Sequence, residues 1–106
     1  MIKTILLNYK ISGTVIFLPF KAICSVTDKE FSGEINIEYY PKNKALEYVD
    51  AENVINKITK NKITAEDLVH LVYKEVERSI KPKHMKIMVN VKHSDAHRPV
   101  NVWLEK

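Results

Sequence analysis

The stretch Cys24-Ser-Val-Thr-Asp28-Lys-Glu30-Phe31-Ser-Gly-Glu-Ile-Asn-Ile-Glu-Tyr-Tyr-Pro41 joins a short polar loop to an alternating segment. From Phe31 to Tyr40, Ile35, Ile37 and Tyr39 alternate with Glu34, Asn36, Glu38 and Tyr40, the period-2 signature of a strand with one buried face. Pro41 ends it. Upstream, residues 3–23 are rich in Ile, Leu, Val and Phe with one break at Ser12-Gly13, so they read as one bent strand or a hairpin of two.

Downstream the period changes to that of helices. Asp50 is placed to cap a helix whose apolar stripe is Ala51, Val54, Ile55 and Ile58, with Lys57, Lys60 and Lys62 near the negative end of its macrodipole. A second helix has the clearer start. Thr64 with Asp67 three positions on approximates a capping box, and Ile63 with Leu68 takes the positions of a hydrophobic staple. Its stripe is Leu68, Val69, Val72, Val76 and Ile80, and Lys81-Pro82 closes it because the residue before a proline is pushed out of helical conformation. Then Met85, Ile87, Val89 and Val91 alternate with Lys86, Met88, Asn90 and Lys92, and Val100, Val102 and Leu104 with Asn101 and Trp103, giving two more strands. The order ββααββ is an α+β pattern: an antiparallel β-sheet with two consecutive helices packed on one face. Its open edges are removed if copies of the chain join into a closed barrel, so a homo-oligomer is expected.

The chain has 106 residues, which suits one domain spanning 1–106. Seventeen Lys+Arg against 13 Asp+Glu give a net charge of +4, favouring approach to phosphates. A single cysteine excludes an intramolecular disulfide and fits a reducing, cytoplasmic setting. The apolar run near Met1 is much shorter than a membrane span, and no targeting segment or membrane partner is expected.

Cys24 is the candidate nucleophile, with Asp28 and Glu30 close behind it as candidate proton donors. Glu66 falls at the second position of the second helix, where the macrodipole favours a carboxylate. Its two oxygens can accept a pair of N–H groups from a ligand, and Phe31, Tyr39 and Tyr40 are candidates for a stacking surface. His93 and His97, four apart with Asp95 between, suggest a metal at first sight, but Ser94 and Arg98-Pro99 make the segment a hairpin loop and no metal is expected.

These landmarks carry a family resemblance. Phe31 to Pro41, Leu46-Glu47, Ala65-Glu66-Asp67 and Ile80-Lys81-Pro82-Lys83-His84 follow one another as in the 7-cyano-7-deazaguanine reductases of the tunnelling-fold superfamily. Counting back from Pro82, Glu66 falls on that family's purine-anchoring glutamate. The resemblance implies a tunnelling fold (T-fold) that oligomerises into a β-barrel, with a cysteine that attacks the nitrile carbon to give a thioimide. The loop after Cys24 is shorter than the family's, with Phe31 where its aspartate lies, so the resemblance leaves Asp28 or Glu30 for the proton-handling role. Ala65 stands where the family often has histidine.

The reductases bind NADPH through a motif of Ser, Lys and Arg positions after a glutamate, whereas here Glu47-Tyr-Val-Asp-Ala-Glu-Asn-Val-Ile55 has none of it. The chain is similar instead to archaeosine synthases of the QueF-like type. That resemblance implies an amidinotransferase acting on 7-cyano-7-deazaguanine in tRNA, with ammonia as nitrogen donor and no redox cofactor. The alternatives are an NADPH-dependent nitrile reductase and a non-catalytic purine- or tRNA-binding protein.

Overall fold

A computed structural model describes residues 1–95 and 98–106. Its elements are β1 (Thr4–Leu6), β2 (Thr14–Ile23), β3 (Glu30–Tyr40), β4 (Lys44–Leu46), α1 (Tyr48–Ile58), α2 (Ala65–Ile80), β5 (His84–Ser94) and β6 (Val100–Glu105). Four strands form an antiparallel sheet in the order β2-β3-β5-β6, and both helices pack on one of its faces. The expected ββααββ frame is therefore present.

Residues 3–23 form neither one bent strand nor a hairpin. β1 pairs with β4 in a separate two-stranded ribbon, Thr4 opposite Leu46 and Leu6 opposite Lys44. The three β1 side chains are all exposed, so no apolar face draws this segment into the main sheet. Its N-terminal side is tied down by polar contacts: the Ile2 N–H donates to Ser79 Oγ at 2.9 Å, and the Lys3 N–H to Asp50 Oδ2 at 2.7 Å.

The core lies between sheet and helices. Ile16, Leu18, Phe20 and Ala22 from β2, Phe31, Ile35, Ile37 and Tyr39 from β3, and Met85, Ile87, Val89 and Val91 from β5 all point into it. They meet the stripe Leu68, Val69, Val72, Val76 and Ile80 of α2, and Ala51 and Ile55 of α1. Pro19 is accommodated because β2 is an edge strand, with a neighbour on one side only. Tyr39 is fully buried, and its hydroxyl accepts the Leu46 N–H at 3.0 Å. Burial pushes its phenol above the usual tyrosine range, partly offset by that hydrogen bond and one with Thr14.

Thr64 caps α2 as expected, its hydroxyl accepting the Asp67 N–H at 3.1 Å, and Ile63 and Leu68 are both buried. Asp50, by contrast, is not the cap of α1. The helix begins at Tyr48, and Glu47 is the capping residue, its carboxylate accepting the Asp50 N–H. Asp50 lies in the first turn, free of the capping task and turned toward the Lys3 backbone.

One irregularity sets the geometry of the site end. Opposite the step from Ser32 to Gly33, β5 passes from His93 to Val91, so Lys92 is an extra residue. Because opposed residues share a face, the alternation of β5 inverts beyond it: Ser94, opposite Phe31, takes the helix-side face, and His93, opposite Ser32, the other. Gly33 is needed there, since a Cβ on it would lie 1.9 Å from the Asn90 carbonyl oxygen. The Gly33→Ala variant is expected to lose about 2–4 kcal/mol, because it must push apart a central strand pair. Urea unfolding monitored by circular dichroism measures this, and a loss under about 0.5 kcal/mol would show that the two strands separate easily.

Candidate functional site

The antiparallel order places four strand ends at one end of the sheet: the exit of β2, the entry of β3, the exit of β5 and the entry of β6. The short link Lys81–Lys83 makes α2 run back along β5, so its N-terminus arrives at the same end. One backbone hydrogen bond completes the junction, from the Ile63 N–H to the Ile23 carbonyl at 2.9 Å. It sets the first turn of α2 beside the residue that follows β2, which is Cys24.

Cys24 continues the inward face of Ile16, Leu18, Phe20 and Ala22, and is 7% exposed. The turn it opens is tightly closed. The Cys24 N–H donates to the Lys29 carbonyl at 2.9 Å, and the Asp28 N–H donates to the Cys24 carbonyl at 2.9 Å. Asp28 has φ 58°, in the left-handed region that Asp tolerates better than most residues.

At this junction lies a cleft of about 520 Å³. Cys24, Val26 and Phe31 line it from the β2–β3 hairpin, Thr64, Ala65 and Glu66 from the start of α2, and Val91, Arg98, Pro99 and Val100 from β5, its following loop and β6. Its walls are mostly apolar. Among the described residues, the chemistry-bearing groups are one thiol, one carboxylate, one guanidinium and one hydroxyl. Phe31 is held edge-on against Phe20, with ring centroids 5.7 Å apart at 69°. Glu66 is exposed at the helix terminus, where the backbone dipoles favour an acceptor of N–H groups.

Two of the four expected site residues, Cys24 and Glu66, thus line one cleft although 42 positions separate them in the chain. Asp28 and Glu30 do not line it. The Asp28 carboxylate pairs with Lys62 at 2.7 Å on the exposed flank of the turn. Glu30 pairs with Lys21 at 3.4 Å. Glu30 immediately precedes Phe31, whose ring faces the cleft, so strand alternation turns Glu30 to the opposite face of the sheet.

Of the three candidate stacking aromatics, only Phe31 lines the cleft. Tyr39 is core, and Tyr40 lies at the far end of the sheet, with its ring 4.7 Å from that of His84. Arg98, Pro99 and Val100 are cleft residues that motif reading missed. The sign was topological: once β5 and β6 are read as a hairpin, its loop must fall at the Cys24 end. His97 lies outside the described residues, and His93 is on the sheet face opposite Phe31. Among the described residues no cluster of three or more His, Cys, Asp or Glu side chains is placed to hold a metal ion. No described helix is long and apolar enough to cross a membrane.

No protein-family model matches the sequence. No curated protein is similar to it in sequence. Among solved structures, the crystal structure of the archaeosine synthase QueF-Like in the apo form superposes with a TM-score of 0.82 at 18% sequence identity, over 92% of this chain and 95% of that one. A match of that extent at that identity shows the fold: the chain is an α+β tunnelling fold of the architecture seen in that enzyme.

Proposed function

We propose that this protein is a tRNA-modifying amidinotransferase that converts the nitrile of 7-cyano-7-deazaguanine in tRNA to the formamidine of archaeosine, with ammonia as nitrogen donor. The observation that carries this reading is the meeting of Cys24 and Glu66 in one apolar-walled cleft on this fold. A flat heteroaromatic base fits between walls such as Phe31 and Val91, and Glu66 accepts its paired N–H groups.

The Cys24 thiolate adds to the nitrile carbon, forming a C–S bond while one C–N π bond becomes an electron pair on nitrogen that takes up a proton. Ammonia then adds to the thioimide carbon. Collapse of the tetrahedral adduct breaks the C–S bond, expels the thiolate and leaves the formamidine, with no change of oxidation state and no redox cofactor required. Asp28 is the better placed of the two proton-donor candidates in this reading, because it shares the closed turn with Cys24, whereas Glu30 faces the other side of the sheet. A change of rotamer away from Lys62 is the movement the role requires of Asp28, and an exposed ion pair of this kind offers little resistance.

A second reading, a non-catalytic purine- or tRNA-binding protein, is favoured by the cleft containing Ala65 and neither Asp28 nor Glu30. Covalent chemistry separates the two. Intact-mass analysis after incubation with 7-cyano-7-deazaguanine is expected to show an adduct on the wild type and none on Cys24→Ala. With tRNA carrying the nitrile base and ammonium salts, the wild type is expected to yield archaeosine without NADPH. Base bound with no adduct would establish the non-catalytic reading, and an aminomethyl product formed only with NADPH would establish a reductase.

Glu66→Gln puts a donor where the base presents donors, and is expected to weaken calorimetric affinity for the free base by about 1–3 kcal/mol, roughly 5- to 150-fold. Unchanged affinity would reduce Glu66 to a helix-terminal charge. The sheet also has two open edges, β2 and β6. We expect a homo-oligomer by light scattering at micromolar concentration, whereas a monomer would count against the barrel assembly.

A further inference from the structure

At the end of the sheet opposite Cys24, the β1–β2 loop, the exit of β3 and the entry of β5 enclose a second cleft of about 460 Å³. Lys10, Lys42 and Lys83 line it together with Tyr9 and Tyr40, and no carboxylate does. Among the described residues, none of these lysines takes part in the ion pairs that occupy Lys21, Lys62 and Lys106. The backbone beneath them is fixed. The Lys83 N–H donates to the Tyr40 carbonyl at 2.9 Å, and the Leu7 N–H to the Asn43 carbonyl at 2.9 Å. Gly13 lets the loop lie against the Tyr40 ring, where an added Cβ would be 3.3 Å from Cδ1. Tyr9 is 72% exposed and Tyr40 is 48% exposed, which leaves aromatic surface open beside three uncompensated positive charges.

Ammonium groups for phosphates next to aromatic rings for bases are what a single-stranded or looped RNA segment requires. We infer that this cleft is an RNA-binding subsite, in which Lys10, Lys42 and Lys83 contact the backbone and Tyr9 stacks on an unpaired base. The inference rests on the reading of the substrate as tRNA, and it adds a distance to that reading. Phe31 and Tyr40 are nine residues apart on β3, so at ~3.3 Å per residue the two clefts are about 30 Å apart. A free base reaches only the first; a folded RNA reaches both.

The test is fluorescence anisotropy with a labelled, unmodified tRNA transcript across a salt series. For K10A/K42A/K83A we expect the slope of log affinity against log salt to become shallower by about 2, and for Tyr9→Ala about a tenfold weaker affinity. A second basic surface, altered as K57A/K60A, serves as control and is expected to leave slope and affinity unchanged. Adduct formation with the free base, read by mass on the same preparations, reports on the Cys24 cleft separately. If the wild type forms no adduct but its RNA binding responds as described, the nitrile chemistry falls and the RNA subsite stands. A slope unchanged in the triple-lysine variant, a loss that appears in K57A/K60A instead, or no RNA binding by the wild type would overturn the inference.

Discussion

The hydrogen bond from the Ile63 N–H to the Ile23 carbonyl is the constraint on which the candidate site depends. Ile23 is the last residue of β2 and Ile63 the residue before the cap of α2, so this bond joins the sheet to the helix layer at one end. Ile63 is buried, and Leu68, at the matching position of the staple, is fully buried, which removes water as a competitor for the N–H. Given that junction, the residue after Ile23 and the first turn after Thr64 have to face each other. Cys24 and Glu66 are neighbours in space as a consequence of packing, before any ligand is considered.

The bulge at Lys92 acts on the same end from the other side. Without an extra residue in β5, His93 would continue the inward series of Val89 and Val91 and stand next to Phe31. The inversion puts the smaller Ser94 opposite Phe31 instead, and leaves Val91 as the last inward apolar residue of the strand before the cleft. Gly33 permits this by giving up its side chain where the two backbones come closest. The shape of the cleft floor therefore depends on one inserted residue and one missing side chain in adjacent strands.

How much of this is legible in the chain depends on the range over which the physics acts. Long alternating runs and the stripe of α2 declare themselves, because burial of a face imposes a period over ten or more residues. The cap at Thr64 is legible because Thr followed by an acidic residue at the third position is a local device. The cap of α1 is not, since Glu47 is an uncommon capping residue and Asp50 is the type normally found there. The β1–β4 ribbon joins two three-residue strands separated by 37 residues, too short for any period to show. At the candidate site, Cys24 and Glu66 stand out in the sequence as a lone thiol and a carboxylate at a helix start, whereas Arg98 and Val100 become cleft residues only through strand order. The orientation of Glu30 follows from alternation once the inward position of Phe31 is known.

Edge strand β2 places a further limit on how the sheet can be extended. Pro19 lies in the middle of β2, opposite Glu34, and has no N–H to offer. A strand added along this edge must therefore lack one rung at that position, and any register that sets a carbonyl against Pro19 leaves the carbonyl without a partner. Strand β6 carries no proline and presents its backbone without such a gap. Joining a β6 edge of one copy to a β2 edge of the next is thus restricted to registers in which the gap at Pro19 meets no acceptor. Because a slip of one residue would also exchange the two faces of the added strand, the proline acts together with side-chain alternation to narrow the registers that remain.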